Sequence, residues 1–266
     1  MILRNLKGTK FSTMRLALTL IFCLILLHVQ AQYPLLYETD FEQVNDLAGF
    51  EFSDPSAWRL LDSLGNQSLD LFGSSDYRAR VRSPFNIAVL KEVMVGDFIL
   101  EVDLKQTGRE YGYRDMCLFF GLQNATNFYY VHIATAADAN AHNVFIVNDE
   151  ARRNLSARTT QGVDWGSDWQ KVKIERTLSD GVIKVYFNDM DTPIMEARDD
   201  HFASGYVGFG SFDDTGRVDN IKLWGEPVEE REGILDSLVS GMSYKRARTH
   251  TGSPISFTIS RFSMPS

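Results

Sequence analysis

Two acidic residues on one predicted strand are the first candidates for chemistry in this sequence. From Phe98 to Lys105 apolar and polar residues alternate, which places Glu101 and Asp103 on the same face of a strand. Retaining hydrolysis of a glycosidic bond needs two carboxyl groups about 5 to 5.5 Å apart, one as nucleophile and one as acid. Glu101 and Asp103 are therefore the candidate catalytic residues if the chain is an enzyme, and the alternative is a solvated strand face.

A second acidic cluster lies near the end of the predicted strands. Asp213 and Asp214 precede the dipeptide Thr215-Gly216, and Asp219 follows it. Acidic residues at turns commonly hydrogen-bond the local backbone, so a structural role is expected here. The sequence contains neither His-Glu-x-x-His nor Gly-x-Ser-x-Gly, and so it carries no signature of a metallohydrolase or a serine nucleophile.

An aromatic residue and a histidine share one face of the predicted strand from Phe128 to Thr135. If Val131 and Ile133 face the core, Tyr130 and His132 face outward. An exposed ring can stack on the C–H groups of a sugar while an imidazole fixes a hydroxyl, which predicts carbohydrate binding at this face. The alternative for His132 is an ordinary surface or hydrogen-bonded histidine.

Two predicted loops add further candidates for sugar contacts. One loop carries Asp138, Asn140 and His142, whose polar groups suit hydroxyl recognition. His142 is expected mainly to shape the loop, and a metal ligand is the alternative for it. The other loop carries Trp165, which is predicted to form a binding platform or, as an equal alternative, to cap one end of the fold.

The amino terminus predicts export. Basic residues precede an apolar run from Leu16 to Leu27, and Val29-Gln30-Ala31 then supplies a signal-peptidase site. We expect residues 1–31 to be a signal peptide, giving a secreted, periplasmic or extracellular protein. The alternative is a membrane anchor, but this run is shorter than the roughly 20 apolar residues that span a bilayer, so no stable membrane insertion is expected after cleavage.

Charge and cysteine content narrow the choice of partners. Residues 1–31 hold four basic and no acidic residues, so their removal changes the net charge from −8 to −12. Such a negative chain is not expected to bind nucleic acid or anionic lipid. Only Cys117 remains after cleavage, so no disulfide can form within the mature chain.

Many short strands and no long helical pattern predict an all-β fold. Because exposed edges and one-sided faces are costly, the strands should pack as a jelly-roll-like β-sandwich of two antiparallel sheets over residues 32–225. Residues 226–266 form a C-terminal extension, either disordered or holding a short docking helix. The predicted strands are Leu36–Phe41, Trp58–Asp62, Ser68–Phe72, Arg78–Arg82, Phe98–Lys105, Met116–Leu122, Phe128–Thr135, Asn143–Asn148, Trp169–Arg176, Val182–Asn188, Tyr206–Phe212 and Arg217–Trp224.

Several of these segments resemble one known superfamily. Residues 128–135 and 140–147, the stretch Gly205-Tyr-Val-Gly-Phe-Gly-Ser-Phe-Asp-Asp214 and Asp219-Asn-Ile221 are similar to the concanavalin A-like lectin/glucanase superfamily. Within it, the chain resembles the laminin-G-like and 3-keto-disaccharide hydrolase (DUF1080-type) domains over roughly residues 35–225. Such sandwiches include lectins, binding modules and hydrolases, so the resemblance implies a fold more than an activity.

The chain departs from the glucanase pattern of this superfamily. Those enzymes carry a second glutamate two or three residues after the aspartate of the Glu-x-Asp pair. In this chain those two positions hold Lys105 and Gln106. The resemblance also implies a structural calcium ion where first and last strands meet, with Glu38, Asp40, Glu42 and Asp219 as candidate ligands. Calcium is expected over zinc because the chain is rich in oxygen ligands and poor in histidine and cysteine. Alternating carboxylates on an edge strand explain the first three equally well.

Together these patterns predict a secreted carbohydrate-recognition domain that binds poly- or oligosaccharide on an exposed sheet face. The expected contact residues are Tyr130, His132, Asp138, Asn140, His142 and Trp165. A glycoside hydrolase of the 3-keto-disaccharide or glucanase type is the alternative, and a laminin-G-like adhesive module that binds protein is a second alternative.

Overall fold

The computed structural model of the chain describes residues 33–44 and 47–229. The predicted signal peptide and residues 230–266 of the predicted extension lie outside the described residues. Within the described residues the fold is all-β, with one short 3-10 turn at Pro55–Ala57. No helix in this part of the chain is long and apolar enough to span a membrane.

The strands alternate with short turns along the whole described chain. They are β1 (Leu35–Thr39), β2 (Phe50–Phe52), β3 (Trp58–Asp62), β4 (Gln67–Leu71), β5 (Asn86–Gln106), β6 (Asp115–Asn124), β7 (Asn127–Ala134), β8 (Asn143–Asn148), β9 (Arg153–Asn154), β10 (Ser156–Thr159), β11 (Gln170–Thr177), β12 (Val182–Phe187), β13 (Met195–Arg198), β14 (Gly205–Ser211) and β15 (Gly216–Val228).

The long strand β5 joins two antiparallel layers. Its second half pairs with β11 and β15, which gives a back sheet in the order β10-β13-β12-β11-β5-β15-β1, and β4 and β3 extend it beside the start of β15. Its first half pairs with β2 and β14, which gives a front sheet in the order β2-β5-β14-β6-β7-β8-β9. The predicted jelly-roll-like β-sandwich of two antiparallel sheets is confirmed.

The main core fills the space between the two sheets. Phe98, Leu100, Val102 and Leu104 of β5 are fully buried, as their period-two spacing predicted. Val131 and Ile133 of β7 also join this core. Burial of such apolar side chains is worth about 1.5–3 kcal/mol each, and it is the main force that holds the layers together in a chain without a disulfide among its described residues.

A second buried cluster covers the other face of the front sheet. It includes Val89 of β5, Phe119 of β6, Tyr130 of β7 and Phe145 of β8. Val81, from the segment between β4 and β5, and Val228 at the end of β15 pack against it. The front sheet is therefore buried on both faces, which explains the nearly continuous burial along β6.

Several strand predictions need correction. The segment Arg78–Arg82 forms no strand, because it crosses to the second cluster, where Val81 packs. The strand predicted at Phe98–Lys105 begins at Asn86, in a run buried on both sides that has no alternation to reveal it. The short strands β2, β9, β10 and β13 were not predicted from the sequence.

The turns behave as their residues suggest. A hairpin turn at Ser179-Asp180-Gly181, residue types that are common in tight turns, joins β11 to β12, with Gly181 at φ 67° and its N–H donating to the Leu178 carbonyl at 3.2 Å. The last strand continues through Glu226 and Pro227 to Val228, so three residues assigned to the extension belong to the sheet.

Candidate functional site

The predicted catalytic pair lies on an ion-paired strand face. Asp103 Oδ1 is 3.4 Å from Lys171 Nζ, and Asp103 Oδ2 accepts a hydrogen bond from Asn220 Nδ2 at 2.9 Å. Glu101 stands opposite Lys173 on β11 and Lys222 on β15. Both carboxylates lie on the outer face of the back sheet, and neither lines the cleft described below.

The expectation that Tyr130 faces solvent is wrong. Its ring is fully buried, stacked on Phe145 at 5.1 Å and on Phe119 at 6.0 Å between centroids. Tyr130 does point away from the main core, but the second buried cluster covers that side of the front sheet. No sugar can stack on a ring enclosed in this way.

Trp165 is likewise enclosed. It is fully buried in the main core, where its ring meets Phe187 edge-on at 5.3 Å, and its carbonyl accepts from Gln170 Nε2 at 3.0 Å. Of the two roles considered for this residue, its contacts match the cap of the sandwich and not the binding platform.

His142 holds the β7–β8 loop from inside. The ring is fully buried, and the backbone is in the left-handed region at φ 56°. Its Nδ1 accepts a hydrogen bond from the Ala134 N–H at 3.3 Å, and its Nε2 lies 2.9 Å from Thr160 Oγ1. Burial lowers the pKa of His142 to about 4, and the nearby His132 acts in the same direction.

The other candidates from this loop lie in a cleft of about 400 Å³ at one end of the front sheet. Loops that leave the ends of neighbouring strands form its walls, and the start of β6 with the end of β7 forms its floor. The lining residues are Arg82, Tyr111, Tyr113, Asp115, His132, Asp138, Asn140, Ala141, Arg152, Phe212 and Asp213.

A buried hydrogen-bonded group makes the floor of the cleft. His132 Nε2 bonds directly to Asp115 Oδ2, and His132 Nδ1 lies 3.2 Å from the Asn140 carbonyl oxygen. Asp115 Oδ1 accepts the hydroxyl of Ser211, and the Phe212 N–H lies 3.3 Å from both carboxylate oxygens. His132 thus lines the cleft, but the exposed position on the sheet face predicted for it is wrong, because it is held by partners and only 5% exposed.

The thiol of Cys117 adjoins this floor. Its Sγ is 3.7 Å from Asp115 Oδ2, and the side chain is fully buried in the second cluster. Burial raises the pKa of Cys117 well above its ordinary value, and the charge of Asp115 adds to the effect. A neutral thiol of this kind is a poor nucleophile.

The buried carboxyl group of Asp214 holds Tyr111, one of the aromatic residues that line the cleft. Asp214 Oδ2 accepts from the Tyr111 hydroxyl at 2.8 Å and from the Asp115 N–H at 2.9 Å. Burial raises the pKa of Asp214 to about 6, and the negative charges of Asp115 and Asp213 add to the rise. Its neighbour Asp213 is exposed at the rim of the cleft.

The guanidinium group of Arg152 lies at another side of the cleft. Arg152 lies over the rings of Phe212 at 4.6 Å and Phe145 at 5.1 Å, and its Nη1 donates to the Tyr130 hydroxyl at 3.1 Å. Its backbone N–H bonds the Arg82 carbonyl at 3.1 Å. Exposed rings, carboxylates, an amide and guanidinium groups therefore meet in one concave surface, which is the composition of a site for a polar ligand with apolar faces.

The residues expected to bind calcium have other partners. Glu38 Oε1 pairs with Lys222 Nζ at 2.8 Å, and Glu42 Oε1 accepts from the Gln67 N–H at 2.7 Å. Asp219 accepts from Asn66 Nδ2 at 2.9 Å, while Asp40 accepts from the Glu42 N–H at 3.1 Å. In the described part of the chain, these four carboxylates do not converge as a group of metal ligands.

Sequence reasoning missed most of the cleft. Tyr111, Tyr113, Asp115, Arg152 and Phe212 come from three separate segments that only the fold brings together. One signal was present, since Tyr111 and Tyr113 flank a glycine in a polar loop where apolar packing does not explain them. Asp213 and Asp214 were noticed but assigned to a turn, although both adjoin the cleft.

Comparison with known proteins gives similarity in fold. No family model matches the sequence, and no curated protein matches it. A Bacillus subtilis protein with a galectin-like fold matches 75% of this chain and 99% of its own at 11% identity and a TM-score of 0.51. The GH43 protein BlXynB from Bacillus licheniformis matches 71% of this chain and 39% of its own at 12% identity and a TM-score of 0.50. The carbohydrate-binding module CBM66 from Bacillus subtilis matches 66% of this chain and 96% of its own at 16% identity and a TM-score of 0.47.

The match to the protein with a galectin-like fold and the two-layer topology establish the fold of this chain. The chain is a jelly-roll β-sandwich of two antiparallel sheets, which is the fold that the sequence resemblance implied. At identities this low the comparison establishes the fold alone, and the function must be argued from the cleft.

Proposed function

We propose that this chain is an exported carbohydrate-recognition domain that binds an oligosaccharide in the cleft between the loops of the front sheet. The observation that carries the proposal is the placement of Tyr113, 55% exposed, beside the polar groups of Asp138, Asn140 and Arg152 in one cleft. Its volume of about 400 Å³ falls within the range of about 300–1,000 Å³ that small-molecule sites occupy.

The chemical groups that line the cleft support a sugar as its ligand. A pyranose ring has C–H faces that pack on aromatic rings, and hydroxyls that both donate and accept hydrogen bonds. Tyr113 and Phe212 offer rings, Asp138 and Asp213 accept from hydroxyls, and Arg152 donates to them. The site differs from the exposed sheet face predicted from the sequence, because loops at the sheet's end provide the open surface.

A fixed geometry also supports binding. Asp138 Oδ1 accepts the Asn140 N–H at 2.6 Å, and the Asp138 carbonyl accepts from Asn143 Nδ2 at 2.7 Å. The loop is therefore shaped before a ligand arrives, and little conformational entropy is lost on binding.

Glycosidic-bond hydrolysis is the second candidate, and one observation favours it. Asp214, with its pKa raised to about 6 by burial, lies beside Asp213 and accepts from the Asp115 N–H, so a carboxyl group with a raised pKa lies close to two carboxyl groups that line the cleft. Pairs of this kind supply the acid and the base in glycoside hydrolysis.

The test is affinity electrophoresis of the full chain through gels that contain laminarin, xylan, alginate or pectin, followed by staining for polysaccharide. Retardation with intact glycan supports binding, and cleared zones that disappear in Asp213→Asn support hydrolysis. If the chain neither slows nor clears any of these glycans, nor binds a panel of their oligosaccharides in calorimetry, the proposal is wrong.

A matched pair of variants tests the location. We expect Tyr113→Ala to weaken binding about tenfold, which corresponds to about 1.4 kcal/mol. Phe72→Ala is the control, since Phe72 is another exposed aromatic residue, at 45%, and does not line the cleft. Equal binding by both variants would refute the assignment to this cleft.

A further inference from the structure

Three side chains of metal-binding type converge at the floor of the cleft. The ligand atoms of Asp115, Cys117 and His132 all lie within 4.8 Å of one another, and all three residues are buried. In the part of the chain that the structure describes, no other group of histidine, cysteine and acidic residues meets this condition.

The sheet itself brings these residues together. Asp115 and Cys117 are two residues apart on β6, so they project from the same face. Cys117 stands directly opposite His132 in the register of β6 with β7. Paired strands hold side chains in these positions more rigidly than loops do, which suits a metal site.

The hydrogen-bond partners of His132 and Asp115 leave one ligand atom of each residue facing the other members of the group. When His132 Nδ1 donates to the Asn140 carbonyl, which lies 3.2 Å away and can only accept, Nε2 can present a lone pair to the other two side chains. Ser211 donates to Asp115 Oδ1, while Asp115 Oδ2 faces His132 Nε2 and Cys117 Sγ. Metal-bound histidines and carboxylates are commonly oriented by such outer partners.

A lone pair on Nε2 and a carboxylate oxygen repel each other unless a cation or a proton lies between them. We propose that Asp115, Cys117 and His132 bind a zinc-type divalent metal ion through Oδ2, Sγ and Nε2. The bound ion replaces the direct contact between His132 and Asp115, and it displaces the proton of the Cys117 thiol, which is released to solvent, because the thiolate is the metal ligand. The assignment stands on these contacts and is independent of the carbohydrate proposal.

The donor set selects the class of metal. Thiolate and imidazole favour zinc and similar transition metals, whereas calcium takes oxygen ligands. Three protein ligands leave the fourth position of a tetrahedral zinc site open. Asp115 and His132 line the cleft, so that position faces the cleft, where water or a ligand hydroxyl can occupy it.

The test uses the full chain, stripped with a chelator and titrated with Co²⁺, with the natural metal content measured separately by mass spectrometry. We expect a thiolate-to-cobalt charge-transfer band that saturates at about one ion per chain and that added Zn²⁺ abolishes, while excess Ca²⁺ does not. If the folded wild-type chain gives no such band and contains no stoichiometric metal, the group is a hydrogen-bonded unit and the proposal is wrong.

Variants locate the site. Cys117→Ser should abolish the band while leaving Cys23, the other cysteine of the sequence, in place. His132→Gln should weaken Co²⁺ binding at least tenfold, and His142→Asn should leave it unchanged, because His142 is also buried but lies outside the group. A band that persists in Cys117→Ser, or binding that falls only in His142→Asn, would overturn the assignment. Because the wild-type titration stands alone, failure of a variant to fold does not affect the test.

Discussion

The buried ring of His142 should make the fold sensitive to acid. Its Nδ1 accepts the Ala134 N–H, so a proton on Nδ1 would set two N–H groups against each other inside the protein. Burial lowers the pKa of His142 in the folded chain to about 4, from an ordinary value of 6.5. The folded state therefore binds this proton less readily than the unfolded state does, and stability is lost as the pH falls.

The size of the effect follows from the two pKa values. The contribution is fully present above about pH 6.5 and declines as the pH falls towards about 4. Linkage gives a loss of about 2.5 kcal/mol between about pH 7.5 and about pH 4.5. That is a large share of a typical free energy of unfolding, which is about 5–15 kcal/mol.

The measurement is urea unfolding, followed by tryptophan fluorescence, at both pH values for the wild type and for His142→Asn. Asparagine tolerates the left-handed backbone at this position and does not titrate in this range, so the variant should lose about 2.5 kcal/mol less than the wild type. His201→Asn is the control, because His201 is exposed.

Equal pH dependence in the wild type and in His142→Asn would refute this reasoning. An NMR titration of the His142 ring in the wild type gives a direct check that needs no variant. A pKa near 6.5 there would show that the enclosed ring carries no penalty for protonation.

Three further predictions concern packing. Trp165→Ala should lower the free energy of unfolding by about 3–5 kcal/mol in urea titrations, because the ring is fully buried, and a change below about 1 kcal/mol would contradict the capping role. Gly162→Ala should cost about 2–3 kcal/mol, since φ is 128° and a Cβ atom would lie 2.0 Å from the Thr135 carbonyl oxygen; a neutral result would mean that the loop adopts another backbone. Tyr130→Phe should cost about 1 kcal/mol by removing the acceptor for Arg152, while Tyr130→Ala should cost about 3–5 kcal/mol, and full stability in Tyr130→Ala would restore the idea of an exposed ring.

The sequence by itself determined the class of fold. Alternation at Phe98–Lys105 fixed which residues of β5 face the main core, because side chains in a strand point to opposite faces in turn. Glycine and aspartate also suit the tight turn that ends at Gly181, where φ is 67°. These are local properties of the chain, and local patterns suffice to read them.

Period-two alternation cannot say whether the second face of a sheet is covered. The pattern placed Tyr130 away from the main core correctly, but Val81 and Val228, from distant parts of the chain, pack against the cluster on that side. The same limit applies to Trp165, which lies in a loop by sequence and in the core by packing. Exposure depends on contacts between distant segments, so only the tertiary structure decided it.

The composition of the cleft also depends on contacts between distant segments. Asp138, Asn140 and His132 could be nominated from the sequence because they lie close together on one strand and the loop after it. Their partners Asp115 and Phe212 are remote along the chain and meet them only because β6 begins where β7 and β14 end, at the same edge of the front sheet. Arg152 reaches the cleft from the segment between β8 and β9. The convergence of Cys117 on His132 depends on strand register, a property of the paired strands that neither strand specifies alone.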